Sequence, residues 1–150
     1  VLGSGGLRRP VRLRKVDEPP PGERVLDEAV SRELVRMMQS VVSEDGTARR
    51  AAVVGYRVSG KTGTAWKASG GGYSRNRYMA VFGGVVPASN PRLAAVVVID
   101  EPRGGHYYGG EVAAPVFSAV MSGALRLLAV PPDDLQRVPA TTLVQAQDPW

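Results

Sequence analysis

The sequence predicts an α+β fold, an antiparallel sheet with helices packed on it. Three observations carry that reading. Apolar residues recur at helical period behind a capping residue, three strand-like runs follow with short turn-rich connections, and a second helical stretch comes after them.

The chain opens irregularly. Gly3, Gly5 and Gly6 loosen its start, Arg12–Val16 reads as a short strand, and Glu18–Gly22 (EPPPG) as a rigid turn. Asp27 is placed to cap a helix, with Glu28 in the first turn, where negative charge is favoured. Val30, Leu34, Met37 and Val41 then form one stripe expected to face the core, and the helix should stop near Ser43–Gly46. Gly55–Ala68, Arg77–Val86 and Leu93–Asp100 are the strand-like runs. Ser69–Tyr73 (SGGGY) and Pro87–Pro91 (PASNP) join them, short enough to make neighbours antiparallel. The third run, LAAVVVID, is continuously apolar, as in a strand covered on both faces. Gly104, Gly105, Gly109 and Gly110 frame His106–Tyr108 ahead of a helix expected from about Glu111 to Leu128, and Pro115 suits that helix's first turn. Residues 131–150 lack a sustained period and are expected to form a flexible or weakly packed tail. A meander with two helices leaves sheet edges and faces bare, so something further must cover them.

Composition narrows the chemistry. With 43% hydrophobic residues in 150, the chain can bury a core. It has no cysteine and one histidine, His106, which removes disulfides and thiolate or histidine metal sites; no metal or other cofactor is implied. The formal charge of +5 invites a nucleic-acid reading, but the arginines are scattered and aromatics make up 6%, so no stacking platform is interleaved with them. Nucleic acid is therefore not an expected partner. Val1–Pro10 lacks the apolar core of a signal peptide, and Val112–Leu128 is interrupted by Pro115, Gly123 and Arg126. Lysine is scarce: Lys15, Lys61 and Lys67 are the whole set, and Lys61 falls inside a glycine-rich segment.

That segment is Ser59–Trp66, SGKTGTAW. Gly60 and Gly63 bracket Lys61 and Thr62, and glycine inside a strand often marks a close approach by another group. Thr62 and Thr64 alternate with Gly63, so their hydroxyls share one face, expected to lie beside the Lys61 ammonium as a carboxylate-binding edge. A strand with incidental glycines and a surface lysine is the plainer alternative. A phosphate-binding loop is a third, since Gly55–Thr62 (GYRVSGKT) matches its pattern formally. That loop should open a helix, however, and Thr62–Ala65 leads instead towards Gly70–Gly72.

KTG is also the third motif of penicillin-binding proteins and class A β-lactamases, beside S-x-x-K and S-x-N. Around it the chain resembles the division-specific class B penicillin-binding proteins, of the penicillin-binding protein 3 type. The resemblance runs in order through Lys15–Val25 (KVDEPPPGERV), Gly55–Ala65 (GYRVSGKTGTA), Pro87–Pro102 and Tyr107–Phe117 (YYGGEVAAPVF), continuing to Pro132. It implies a penicillin-binding-protein/serine β-lactamase-like transpeptidase fold, incomplete in this chain. By that resemblance Lys61 is the motif lysine, keeping the site electropositive and assisting proton transfer. Thr62 and Thr64 hydrogen-bond the carboxylate of a stem peptide or of a β-lactam. The Thr64 backbone N–H is an oxyanion-hole donor, and Gly63 keeps the edge clear. Tyr78, Tyr107 and Tyr108 match an aromatic wall beside the cleft, ordinary core or edge packing being the alternative; Trp66 is given no role, and His106, set among glycines, could line the cleft, although acyl transfer in this family needs no histidine base.

The departures are as informative. No serine is followed three residues later by lysine, and Ser74-Arg75-Asn76 spells S-x-N after KTG, in the expected turn, where it reads as a decoy. Residues 1–130 are thus expected to be the C-terminal part of a transpeptidase domain without its nucleophile, inactive alone and partnered by the remainder of that domain. For the intact protein the resemblance implies peptidoglycan D,D-transpeptidation through a serine acyl-enzyme, with β-lactams as inhibitors. It also implies a place on the periplasmic face of the bacterial inner membrane, an anchor outside this chain, and a septal glycan polymerase and divisome proteins as partners. A β-lactam sensor, a β-lactamase-like domain or a non-catalytic penicillin-binding module is the alternative.

Overall fold

The computed structural model describes residues 1–10, 14, 17–18 and 20–137. The strand expected at Arg12–Val16 and most of the 131–150 tail lie outside the described residues.

Two short strands, β1 (Leu7–Arg8) and β2 (Glu23–Arg24), pair antiparallel near the entry, with Arg8 and Glu23 joined by an ion pair. Helix α1 spans Glu28–Met38. Asp27 caps it as expected, its Oδ1 accepting from the Ala29 N–H at 2.7 Å. The helix tightens into a 3-10 turn at Gln39–Val42 before the chain turns away. Its expected inward stripe is a correction. Val30, Leu34 and Met37 are exposed, while Ser31 and Val35 are buried; of the stripe, Val41 packs on the core. Two hydrogen bonds set this rotation: Ser31 Oγ donates to Leu2 O at 3.0 Å, and Ser59 Oγ donates to Val35 O at 2.6 Å. Satisfying buried hydroxyls outweighs the larger apolar count of the neighbouring stripe.

The central sheet has the order β3-β4-β5, all antiparallel, from β3 (Ser59–Ser69), β4 (Gly72–Val86) and β5 (Leu93–Asp100). The first strand starts four residues later than expected because Gly55 turns at φ +80°, beside a Val53–Tyr56 bridge. The second starts earlier, at Gly72, after a turn through Gly70 and Gly71 at positive φ, so Ser74–Asn76 lies in β4 rather than in a turn.

Ala80, Phe82 and Val86 of β4, with Leu93, Ala95, Val97 and Ile99 of β5, point to one face. There they meet Phe117, Met121 and Leu125 of helix α3 (Ala114–Leu127), which follows a single turn, α2 (Gly109–Val112). Phe82 and Phe117 meet edge-on, ring centres 4.9 Å apart, at the middle of this core. Pro115 sits in the first turn of α3, where its ring nitrogen has no hydrogen to give the Glu111 carbonyl; Arg50 Nη1 bonds that oxygen instead, at 3.3 Å. The opposite face is a second correction. Exposure alternates along β5, with Val96 69% and Val98 52% exposed, so the described residues cover one face of the strand and not both. Leu2, Val35 and Met38 shelter one end of that bare face, around a hollow of about 350 Å³.

Two clasps close the sheet's ends. Asp133 accepts from the Arg57 N–H at 2.8 Å and from Ser89 Oγ at 2.6 Å, which ties the described start of the tail to the β4–β5 turn. At the other end Glu101 accepts from Lys67 of β3 at 2.7 Å and from Arg77 of β4 at 2.6 Å, and its own N–H donates to Tyr78 O. The bonds from Lys67 and then Arg77 hold the Glu101 carboxyl at about 2, below its ordinary 4.5.

Two outcomes follow. Phe82→Ala should destabilise the protein by about 3–5 kcal/mol in urea denaturation, as for other large core deletions; a loss under about 1 kcal/mol would mean the core is not centred here. Because the folded Glu101 carboxyl is depressed, its contribution is complete above pH 4.5 and disappears as pH falls through about 2. The thermal midpoints of wild type and Glu101→Gln should therefore differ at neutral pH and converge over that acid window; a constant gap would show that the charge contributes nothing.

Candidate functional site

Strand β3 is an edge strand, hydrogen-bonded to β4 alone among the described strands. In such a strand, alternate residues turn their backbone N–H and C=O groups away from the paired strand, where an extended ligand can bond them. Register sets what the side chains do. Thr62 lies opposite Phe82 and Thr64 opposite Ala80, so both threonines project on the side that carries α2 and α3. Lys61 and Gly63 lie opposite Gly83 and Val81, on the bare face. The two hydroxyls share a face as expected, but the ammonium does not start from it: strict alternation puts Lys61 behind, and its Nζ folds over to donate to Thr62 O at 3.0 Å.

Each hydroxyl has a partner. Thr64 Oγ1 accepts from the Gly109 N–H at 3.1 Å, and Thr62 Oγ1 lies 3.4 Å from Thr47 Oγ1. The bracketing glycines separate into two kinds. A Cβ at Gly60 would fall 2.4 Å from Phe82 Cζ, so Gly60 is demanded by the core. A Cβ at Gly63 would meet nothing nearer than Val81 Cβ at 3.6 Å, so packing within this chain does not require glycine there.

The three tyrosines converge one step further along the threonine side. Tyr78 stacks on Tyr107 with ring centres 4.2 Å apart and planes 13° from parallel, and Tyr107 tilts against Tyr108 at 4.5 Å. Tyr107 donates its hydroxyl to Tyr108 Oη at 3.3 Å, and the pair pushes the Tyr107 phenol up from its usual value. Trp66 stands opposite Tyr78 and is exposed. His106 is exposed too, 3.5 Å from a Glu111 carboxylate oxygen. Thr62, Thr64 and the tyrosines thus line one side of the β3 edge, with Lys61 and Gly63 on the other.

Sequence reasoning passed over the glycine pair that holds these parts together. A Cβ at Gly109 would come within 2.2 Å of Val81 O and 2.7 Å of Gly63 O, and one at Gly110 within 1.9 Å of Thr47 O. The first turn of α2 therefore rests directly on the backbone of β3 and β4. The signal was present as adjacent glycines opening a helix, where glycine has no advantage in propensity.

The family profile described as penicillin binding protein transpeptidase domain matches residues 1–122. The peptidoglycan D,D-transpeptidase FtsI of Escherichia coli (strain K12) is 51% identical over 135 residues, 90% of this chain and 23% of that protein. The probable peptidoglycan D,D-transpeptidase PbpC of Pseudomonas aeruginosa is 43% identical over 140 residues, 93% of this chain and 25% of that protein. Among solved structures, the apo TP domain of penicillin-binding protein 3 from Burkholderia pseudomallei superposes with a TM-score of 0.80 at 46% identity, covering 88% of this chain and 40% of that one. The chain spans about a quarter of the length of these curated relatives. With the profile across most of its length and a solved domain overlaying its sheet and helices, the chain belongs to the penicillin-binding protein transpeptidase family, as part of a domain of the penicillin-binding protein 3 type.

Proposed function

We propose that this chain forms one wall of a peptidoglycan D,D-transpeptidase active site that β-lactams also occupy, and that the remainder of the domain brings the nucleophilic serine. One observation carries the reading: an edge strand places two threonine hydroxyls and a tyrosine stack on one side, with an open glycine and a lysine on the other. Such an edge suits a short extended peptide ending in a carboxylate. Backbone groups pair along it, Thr62 and Thr64 meet the carboxylate, and the tyrosines wall the cleft.

In this reaction the serine oxygen attacks the carbonyl carbon of the penultimate D-alanine, and its proton passes to a neighbouring lysine base. The Thr64 N–H stabilises the oxyanion that forms, the C–N bond to the terminal D-alanine breaks, and that alanine leaves as a protonated amine. The amine of a neighbouring stem peptide then attacks the acyl-enzyme ester, releasing the serine. Lys61 rises from the bare apolar face, so the covering part of the domain would pack beside its ammonium, which supports its role in keeping the site positive and assisting proton transfer. The names of the relatives, peptidoglycan D,D-transpeptidases, support a role for the intact protein in cell-wall synthesis. A periplasmic site on the inner membrane, an anchor outside this chain, and a septal glycan polymerase with divisome proteins as partners belong to the same proposal.

A fluorescent penicillin tests it. A protein containing this chain and the upstream part of the domain should be labelled, whereas this chain alone should not; an unlabelled longer protein overturns the reading. A long-lived acyl-enzyme marks a transpeptidase, and rapid turnover a β-lactamase-like domain. Gly63→Ala sharpens the test, since its methyl fits among the described residues and stands on the β3 edge next to Thr64. It should leave the thermal midpoint near wild type and slow acylation by ~10²-fold, the scale of losing one oxyanion donor. Unchanged acylation would show that substrate does not pass Gly63.

A further inference from the structure

We infer that the Gly109 backbone N–H fixes the Thr64 hydroxyl as a hydrogen-bond donor towards the substrate carboxylate, which makes Gly109 a positioning residue of the site. The inference rests on the function proposed above and adds a residue to it.

A threonine hydroxyl has one proton and two lone pairs, and on an exposed strand it rotates freely among its partners. Here one lone pair is taken, because Gly109 N lies 3.1 Å from Thr64 Oγ1. The proton cannot point at an N–H, so it is left to the exposed side of the strand, where Thr64 meets solvent and a ligand would lie. A hydroxyl that is accepting is also polarised and donates more strongly, and a carboxylate gains most from such a donor.

The geometry depends on glycine. Gly109 is the first residue of α2, and Tyr108 before it supplies no side-chain cap, so Thr64 satisfies a donor that the short helix leaves open. The amide gets that close because no side chain intervenes: a Cβ would press on the carbonyl oxygens of Val81 and Gly63, the residues flanking Thr64 and its partner Ala80. Gly110 is seated just as tightly on Thr47 O. The tyrosine pair 107–108 leads directly into this seat, so one contact sets both the hydroxyl's direction and the origin of the aromatic wall.

The test uses the full-length enzyme that contains this chain. First, amide hydrogen exchange at Gly109 should be slow in wild type and in Thr64→Ser, and roughly tenfold or more faster in Thr64→Val, which keeps the shape and loses the acceptor. Equal exchange in all three would overturn the bond. Second, acylation is compared between a penicillin and its methyl ester, which lacks the negative carboxylate. Gly109→Ala should slow the penicillin roughly 10–100-fold and the ester much less, and in a Thr64→Val background it should add no further change to that ratio. Equal slowing of both compounds would make Gly109 merely structural and overturn the inference. Should Gly109→Ala fail to fold, Thr64→Ser and Thr64→Val carry the same comparison: the ratio should survive in the first and collapse in the second, and a ratio unchanged in the second overturns the inference. If the wild-type enzyme is acylated by neither compound, the proposed function itself falls, whatever the exchange data show.

Discussion

The register between β3 and β4 is the constraint on which the site depends. From Ser59 against Val85 to Trp66 against Tyr78 the pairing is unbroken, and a shift appears only beyond Trp66. Side chains alternate strictly across a strand, so a slip of one residue would send both threonines to the bare face and drive Lys61 into Phe82. What prevents the slip is steric. Gly60 sits against the Phe82 ring, where a side chain of any size would collide, a Cβ at Gly84 would stand 3.0 Å from the Phe82 and Phe117 rings, and Ser59 is pinned to α1 through the Val35 carbonyl. Core packing thus decides which chemical groups the edge displays.

The glycines sort by what they approach. Gly60, Gly84, Gly109 and Gly110 are each crowded by atoms of this chain, so they serve close packing of backbone on backbone or on an aromatic ring. Gly63 is not crowded, although it lies in the middle of the same strand. A motif that looks uniform in sequence therefore combines a residue kept small by the fold with one whose smallness the fold does not need.

Much of the fold was legible in the sequence: the Asp27 cap, three antiparallel strands in order and a late helix near Pro115. The misreadings have physical causes. Val30, Leu34 and Met37 outnumber the apolar residues of the next stripe, but two hydroxyl–carbonyl bonds from distant parts of the chain rotate the helix, and no local period reports such bonds. The apolar run of β5 described a strand meant to be covered twice, while the described residues cover it once. Within the site, the shared face of Thr62 and Thr64 followed from alternation alone. The displacement of Lys61 followed from the same rule and was overlooked, and the seat of α2 on Gly63 and Val81 required three dimensions.

Two bare surfaces meet a practical limit. Val96 and Val98 on the sheet, and Val30, Leu34 and Met37 on α1, stand in water beside strands whose outer edges have no described neighbour. Unpaired edges next to apolar side chains are templates for self-association, and a formal charge of +5 spread over scattered arginines gives modest colloidal protection. Produced alone, these residues would tend to oligomerise or demand chaperones, and handling them together with whatever normally caps those surfaces is the condition for studying the edge in its working form.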